Sequence, residues 1–560
     1  MELKFRYKYM DIFYRPDFSK DTTFKWLIIV FSAVIAVVSF ENFYYQYNSP
    51  KWAVFDVFCL FLFFYATLFL TSKKLGVIGL ITFLITTCMF VSVFWSPNKF
   101  EAILFTCRFA AFSLAAFIMT SEFSKETLLK VLTDSVLYSS VVFCIVLLYQ
   151  RYWVEIPYSN ANFSPIGFVN YFGQVLNIWL PILAFSIYSN RKAKGFLFIG
   201  LTSFVILMNL LIESNTRGTM LGLLIGEMCV LLIILIKTKK IPLKHLSILG
   251  TFLLAIGSFS FFESSGGGRI GLQVQSVMEL NTGREHIFFN TLDMIKSNPL
   301  GVGAGNFEYI HQKYAKAGTE SASPYISELR VLKSPYNILL KFYSELGFIG
   351  GTLFLIVFGF VFLQALLNFL KGDSVDAWLF IAVFSLYFHS MFSSVFLTPV
   401  SLFFSILLFS LVLARSQICC SYFNLFEINY RYIFIPMIVV LGYLSYSKIA
   451  SDNVAYIGYS SGDAEKVKSA FEKNPYNHFA AKWLSHIYML KENDKASGLR
   501  SLERAIEVYP YNLYFLINAA EVAEMLGEAD KAEKYKLRAL EIYPKHPRAM
   551  LVNSRIETRI

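Results

Sequence analysis

Long apolar runs separated by short polar breaks fill the first 450 residues, and the pattern changes after that. A helix needs about 20 predominantly apolar residues to cross a hydrocarbon core roughly 30 Å thick. Thirteen runs approach that length: 24–40, 52–70, 75–95, 100–119, 131–149, 166–188, 195–212, 218–236, 246–262, 347–370, 376–397, 399–414 and 432–447. The first, ninth, twelfth and thirteenth are short, so the pattern predicts 12–13 spans. The expected fold is all-α: a polytopic transmembrane helical bundle over 1–450, a large external loop at 263–346, and a helical appendage over 451–560.

The appendage repeats itself. Segments beginning at Ala470, Ala505 and Ala539 align, and Pro475, Pro510 and Pro544 fall 35 and then 34 residues apart. Small alanines let paired helices approach, and a proline stops one helix before the next repeat begins. This period resembles the tetratricopeptide repeat, which implies a solenoid of helix pairs with a concave face for a protein partner.

Composition agrees with the apolar pattern. The chain is 56% hydrophobic and 16% charged, against about 25% charged in soluble proteins, and its mean hydropathy is +0.52. A single soluble domain and a disordered chain are both excluded. Residues 451–560 carry 16 Lys+Arg against 15 Asp+Glu, so the net +11 belongs mostly to the membrane part, where basic residues set orientation. No nucleic-acid partner is expected.

Alternate loops divide sharply in charge. One side carries twenty basic residues: Lys4, Arg6, Lys8, Arg15, Lys20 and Lys25, then Lys73/Lys74, Lys125/Lys130, Arg191/Lys192/Lys194, Lys237/Lys239/Lys240/Lys244, Lys371 and Arg415/Arg431. The short loops opposite carry four: Lys51, Lys99, Arg151 and Arg217. The bias predicts a cytoplasmic N-terminus and an external loop on the far side. Thirteen spans put the appendage there too, whereas one span fewer would return it to the cytoplasm. The seven cysteines lie in or beside apolar runs, with no disulfide framework and no zinc spacing, and Met1 to Lys25 has no cleaved-signal pattern.

Ionisable groups inside apolar runs are costly and mark candidate sites. Arg108 and Glu227 are expected to form ion pairs or line a substrate path, and His389 to be a hydrogen-bonded interior residue; His245 lies in a basic loop. Arg217 opens the eighth run on the side where basic residues are scarce, next to Gly218 and Gly222. That placement points to anion binding, since a guanidinium grips phosphate in two places and a helix N-terminus adds its dipole. Arg284 follows a turn glycine in the external loop and is expected to start a helix. Gly301, Gly303 and Gly305 allow close backbone approach to a ligand. Asn337, Lys341 and Glu345 recur every four residues and form a polar stripe on one helix face.

Three blocks resemble the O-antigen ligase family: Thr216-Arg217-Gly218; Gly283-Arg284 with the later Asn298-Pro-Leu-Gly-Val-Gly; and Asn337, Leu340, Glu345, Gly347 and Gly350. The likeness covers about residues 210–355. It implies a metal-independent glycosyltransferase without cofactors, moving a glycan from undecaprenyl pyrophosphate to an acceptor at the outer face of the bacterial cytoplasmic membrane. The acceptor would be lipid A core, another polysaccharide or a protein. Arg217 and Arg284 would hold the pyrophosphate, with Gly303 and Gly305 near substrate and Tyr336, Asn337 and Glu345 in the catalytic set. The family's histidine beside the asparagine falls here on Tyr336, and a tyrosine with a pKa near 10 is a weak base. His286, His311 or Glu345 could take that role. A polymerase of the same glycans is the nearest alternative. A lipid-linked glycan flippase comes next, then a scaffold that recruits partners through its repeats.

Overall fold

A computed structural model describes residues 18–69, 73–154, 159, 162–239, 284–316, 331–416, 426–428 and 430–552. The ninth apolar run (246–262), the first part of the external loop, His245 and the basic residues before residue 18 lie outside the described residues. The protein is an all-α polytopic helical protein. Among the described residues, eight helices are long and apolar enough to cross a membrane, and four shorter apolar helices accompany them.

The membrane part consists of α1 (Phe18–Val37), α2 (Asn48–Phe69), α3 (Val77–Ser92), α4 (Lys99–Glu122), α5 (Lys125–Tyr152), α6 (Val169–Ser189), α7 (Lys194–Ser214) and α8 (Arg217–Thr238). After the undescribed stretch come α9 (Arg284–Ser297) and the short α10 (Phe307–His311), then α11 (Ile338–Lys371), α12 (Ser374–Ser390), α13 (Pro399–Ala414) and α14 (Tyr430–Ser461). Twelve of the thirteen apolar runs fall on these helices. Polar residues mark the starts: Asn98, Ser124, Asn337 and Asp373 each accept a backbone N–H in the first turn of the helix that follows. α6 and α12, buried along most of their length, form the middle of the bundle with α13.

α11 is two helices joined at Gly347, whose φ of +67° suits only glycine. Pro299 Cα–C=O closes against this break, with Phe348 N–H donating to Pro299 O at 3.2 Å. The apolar run predicted from 347 therefore begins at the break, and the polar stripe of Asn337, Lys341 and Glu345 belongs to the separate helical piece before it.

Opposite ends of the bundle gather the two charge classes. At one end, Lys25 pairs with Asp134 at 2.5 Å, Arg415 with Asp376 at 2.6 Å, and Lys237 donates to Leu370 O. There too β1 (Lys73–Leu75) pairs antiparallel with β2 (Phe426–Ile428), joining two loops that both belong to the basic side. At the other end, Arg151 pairs with Glu213 at 3.1 Å and the buried Lys51 donates to Pro165 O at 2.9 Å.

Beyond the bundle, α15 (Ala464–Lys473), α16 (His478–Leu490), α17 (Lys495–Val508), α18 (Leu513–Leu526), α19 (Ala529–Ile542) and α20 (Pro547–Leu551) continue the chain. The end of α14 packs with α15, α16 with α17 and α18 with α19. Pro475 and Pro510 sit in the breaks, and Asn477 and Asn512 cap the helices that follow. α14 runs unbroken through residue 451, so the last apolar run and the first repeat helix are one rod.

This C-terminal part sits on the same end of the bundle as α9 and α10. Tyr509 Oη donates to Glu308 O at 2.7 Å, Leu513 N–H to Gln312 Oε1 at 3.1 Å, and Asn98 Nδ2 to Tyr476 O at 3.3 Å. Tyr309 is buried in the core of the C-terminal helices. Burial holds the imidazole of His478, set edge-to-face against Tyr309 and Tyr509, down to about 3. It holds the imidazole of His311, packed against Phe307, down to about 4.

Candidate functional site

The predicted phosphate-gripping residues sit on two helix starts. α7 ends in a left-handed Asn215, and Arg217 opens α8 directly after the buried Thr216. Thr216 fits there because Gly173 of α6 has no side chain: a Cβ would lie 2.6 Å from Thr216 Oγ1. Thr219 Oγ1 donates to Gly173 O at 2.8 Å, which fixes the start of α8 on α6. Gly218 brings that start against α12, where a Cβ would meet His389 Cδ2 at 2.5 Å.

His389 is fully enclosed in this arrangement. Asn177 Nδ2 lies 2.9 Å and Thr219 Oγ1 3.0 Å from its Nδ1, as expected for a hydrogen-bonded interior histidine. One turn further on, the exposed end of α12 supplies carbonyls. Arg284, opening α9, donates from Nη1 to Phe392 O at 2.7 Å. Asn337 Nδ2 donates to Met391 O at 3.2 Å while its Oδ1 caps α11 by accepting Leu340 N–H at 3.0 Å. Tyr336 lies with its ring 5.3 Å from the Arg284 guanidinium. Its backbone is left-handed, φ 56°, and its N–H donates to Ser334 Oγ at 3.2 Å.

Arg284, Tyr336 and Asn337 thus gather at the residues that follow α12, and Gly218, next to Arg217, packs on His389 in its last turn. Two helix starts, each bearing an arginine, therefore lie against the same end of α12. Such a cluster can bind a dianionic group and take up charge as it forms on a leaving diphosphate.

Glu345, Gly303 and Gly305 lie elsewhere. Glu345 is roughly 12 Å from Asn337 along the helix axis. Its buried carboxylate accepts the Lys341 ammonium at 2.5 Å, Gly305 N–H at 3.0 Å and Phe307 N–H at 3.2 Å. These contacts hold the glycine loop against α11. Gly303 N–H donates to Glu345 O at 2.9 Å, and a Cβ on Gly303 would lie 1.9 Å from Ser96 Oγ. The close approach expected at Gly303 is made by the turn between α3 and α4. Gly305, with φ +67°, opens on a separate cavity described below.

The other candidates resolve individually. Arg108 forms a two-point pair with Asp56, 2.7 Å at the shortest, beneath the Trp52 ring and with Ser445 Oγ bonded to the same carboxylate. It is an ion pair, as expected. Glu227 is buried beside Leu180, Phe204 and Trp378. His286 stands two residues after Arg284 on α9, half-buried, whereas His311 is packed in the interior.

Asn177, Thr219 and the Met391 and Phe392 carbonyls were missed by sequence reasoning. Asn177 left one signal, an amide inside an otherwise apolar run; backbone carbonyls leave none.

The family model described as O-antigen ligase matches residues 202–355. That range contains Arg217, Arg284, Tyr336 and Asn337, and ends eight residues after the α11 break. The matched segment is similar to a family of glycan ligases, and the multi-pass helical architecture accords with a membrane enzyme of that kind. No curated protein matches the chain.

Proposed function

We propose that the protein transfers a glycan from undecaprenyl pyrophosphate to an acceptor at the outer face of the bacterial cytoplasmic membrane, as an O-antigen ligase does. Arg217, whose neighbour Gly218 packs on His389, and Arg284, which bonds the Phe392 carbonyl just past α12, both lie inside the matched segment, and this supports the reading. The two guanidinium groups hold the diphosphate. As the bond between sugar C1 and the phosphate oxygen breaks, negative charge grows on the leaving diphosphate. Donors fixed in advance stabilise that state more than the ground state.

Asn337 fixes the position of Arg284 indirectly, since both bond adjacent carbonyls at the end of α12. The Tyr336 ring supports the guanidinium face, worth about 0.5–1 kcal/mol at an accessible site. His286, half-buried on α9 two residues after Arg284, is the histidine nearest it in sequence and serves as the acceptor's base. Transfer on this account needs no metal ion. The C-terminal helices form a repeat solenoid on the same face, and the N-terminus is cytoplasmic because the opposite end of the bundle collects the basic loops.

The test is a gene deletion complemented by variants. Arg217→Ala and Arg284→Ala, each inserted at normal levels, should fail to restore the surface glycan and should leave polymer on its lipid carrier. Normal glycan from either variant removes that arginine from the donor site, and single repeat units on the acceptor would identify a polymerase instead.

A further inference from the structure

A cavity of about 350 Å³ lies beside the arginine cluster but is not lined by Arg217, Arg284, Tyr336 or Asn337. The segment 333–342 is the wall between them: Lys333, Lys341 and Phe342 face the cavity, while Tyr336 and Asn337 turn to α9 and α12. The cavity has two parts of different chemistry.

Its lower part lies among helices of the membrane bundle. Phe109, Phe112, Ser113, Val357, Phe358 and Leu402 line it, on α4, α11 and α13, and none is fully buried because each faces open space. Its upper part is closed by the C-terminal helices. Lys448 and Asp452 from the top of α14, and His478, Phe479 and Trp483 from α16, form one wall. Tyr44 and Tyr45, from the loop before α2, complete it, with Tyr44 5.4 Å from the rings of both Phe479 and Trp483.

Charge decides what the upper part can hold. Three of the cations there already have an acid: Lys448 has Glu101 at 2.7 Å and Asp452 at 3.5 Å, Lys341 has Glu345, and Arg108 has Asp56. Lys333 lies 4.0 Å from the Tyr45 ring and faces Glu308 across the cavity. No surplus positive charge remains for a phosphate, and a dianion would have to break these pairs. A hydroxyl behaves differently. It donates to a carboxylate and accepts from an ammonium at once, so alternating acids and bases suit a polyol. Exposed aromatic faces add a platform for the apolar side of a sugar ring.

We infer that this cavity binds a lipid-anchored glycan with an uncharged headgroup: the apolar anchor lies between α4 and α11, and the sugar rests on the aromatic wall completed by the C-terminal helices. This rests on the glycan-transfer reading and identifies the occupant as the acceptor, delivered to the arginine cluster across the segment 333–342. The C-terminal helices are then part of the substrate site.

The test uses the full chain in phospholipid nanodiscs and three diazirine-bearing isoprenoid probes: a neutral glucoside, a monophosphate and the free alcohol. The glucoside should label peptides from α4 and α11 that contain Phe109–Ser113 and Val357–Phe358, at least fivefold more than the monophosphate does. Ser113→Trp, which fills the lower part, should reduce labelling by all three probes at least fivefold. Tyr44→Ala and Phe479→Ala should reduce glucoside labelling severalfold and leave the alcohol unchanged. Monophosphate labelling equal to or above that of the glucoside overturns the inference, as does glucoside labelling indifferent to Ser113→Trp. Arg217→Ala should label as the parent protein does. Failed cavity labelling alongside lost transfer in Arg217→Ala refutes the acceptor site and spares the donor site; intact labelling with intact transfer in that variant does the reverse.

Discussion

Single residues carry the clearest consequences. Tyr336 holds a left-handed backbone and stacks on Arg284, yet occupies the position where a base was expected. If its ring is a support, Tyr336→Phe should keep transfer within about twofold, and Tyr336→Ala should lower it by about 3- to 5-fold, in line with a loss near 1 kcal/mol. Initial rates of both variants decide it; a large loss in Tyr336→Phe would assign a role to the hydroxyl. Glu345 is a different case. Its side chain is 1% exposed and Lys341 beside it 5%. Removing one member of such a pair strands the other charge, at a cost of about 3–5 kcal/mol. Glu345→Ala should therefore lower the thermal unfolding midpoint sharply in detergent, and Lys341→Met in the same chain should restore much of it. If Glu345→Ala lost transfer while keeping its midpoint, the carboxylate would belong to the chemistry.

The limits of sequence reading show well in these residues. Arg217 and Arg284 stood out as guanidinium groups at helix starts, and both are at helix starts. The meeting point of Arg284 and Asn337 did not stand out, because it is the Phe392 and Met391 carbonyls, and any residues there would supply the same atoms. Gly303 was legible as a point of close approach; that it approaches Ser96 depended on a turn over two hundred residues away in the chain.

At the scale of elements, apolar length was a reliable guide, since a span must satisfy its own backbone and so must be helical. The break in α11 was harder to see. The apolar run from 347 begins at the break, but nothing in it marked the change of direction at Gly347, where a Cβ would stand 2.2 Å from Pro299 O. Gly347→Ala is strained both by φ and by this contact. It should detach the 299–307 loop from α11, which amide exchange across Val302–Phe307 would report as lost protection. The contact of α10 with the C-terminal helices should depend on pH. Burial holds His311 near 4 and His478 near 3, while an unfolded histidine titrates at about 6.5. The unfolded state therefore binds more protons as pH falls below about 6.5, and stability present above that value is lost progressively toward pH 4, by up to about 1.4 kcal/mol per pH unit for each histidine. Unfolding midpoints measured from about pH 7 to about pH 5 should fall, and His478→Phe should flatten the slope.

At the scale of the whole molecule, the C-terminal helices and the segment carrying Arg284 meet. Proline spacing predicted repeats at the C-terminus, and such repeats suggested an arm for a protein partner. In the structure α14 enters them without a linker, Tyr309 is buried in their core, and Tyr509 and Leu513 bond to the α10 region. Cutting the chain after Ser461 should therefore destabilise the external segment that carries Arg284, and protease should cleave residues 284–316 faster than in the full chain. Unchanged cleavage would make the repeats a separate module. The same geometry puts α9 and the repeats on one face, in keeping with the four long helices α11–α14 between them.

The central claim is that Arg217 and Arg284 act together on one diphosphate. It is tested most directly by the rate of glycan transfer from purified undecaprenyl-pyrophosphate donor by the reconstituted protein in the presence of a metal chelator. The account predicts that the parent protein turns over with chelator present. Arg217→Ala and Arg284→Ala should each lose about 10²-fold or more, and the double variant little beyond that. Full dependence on added metal, or either single variant retaining parental rates, would contradict it.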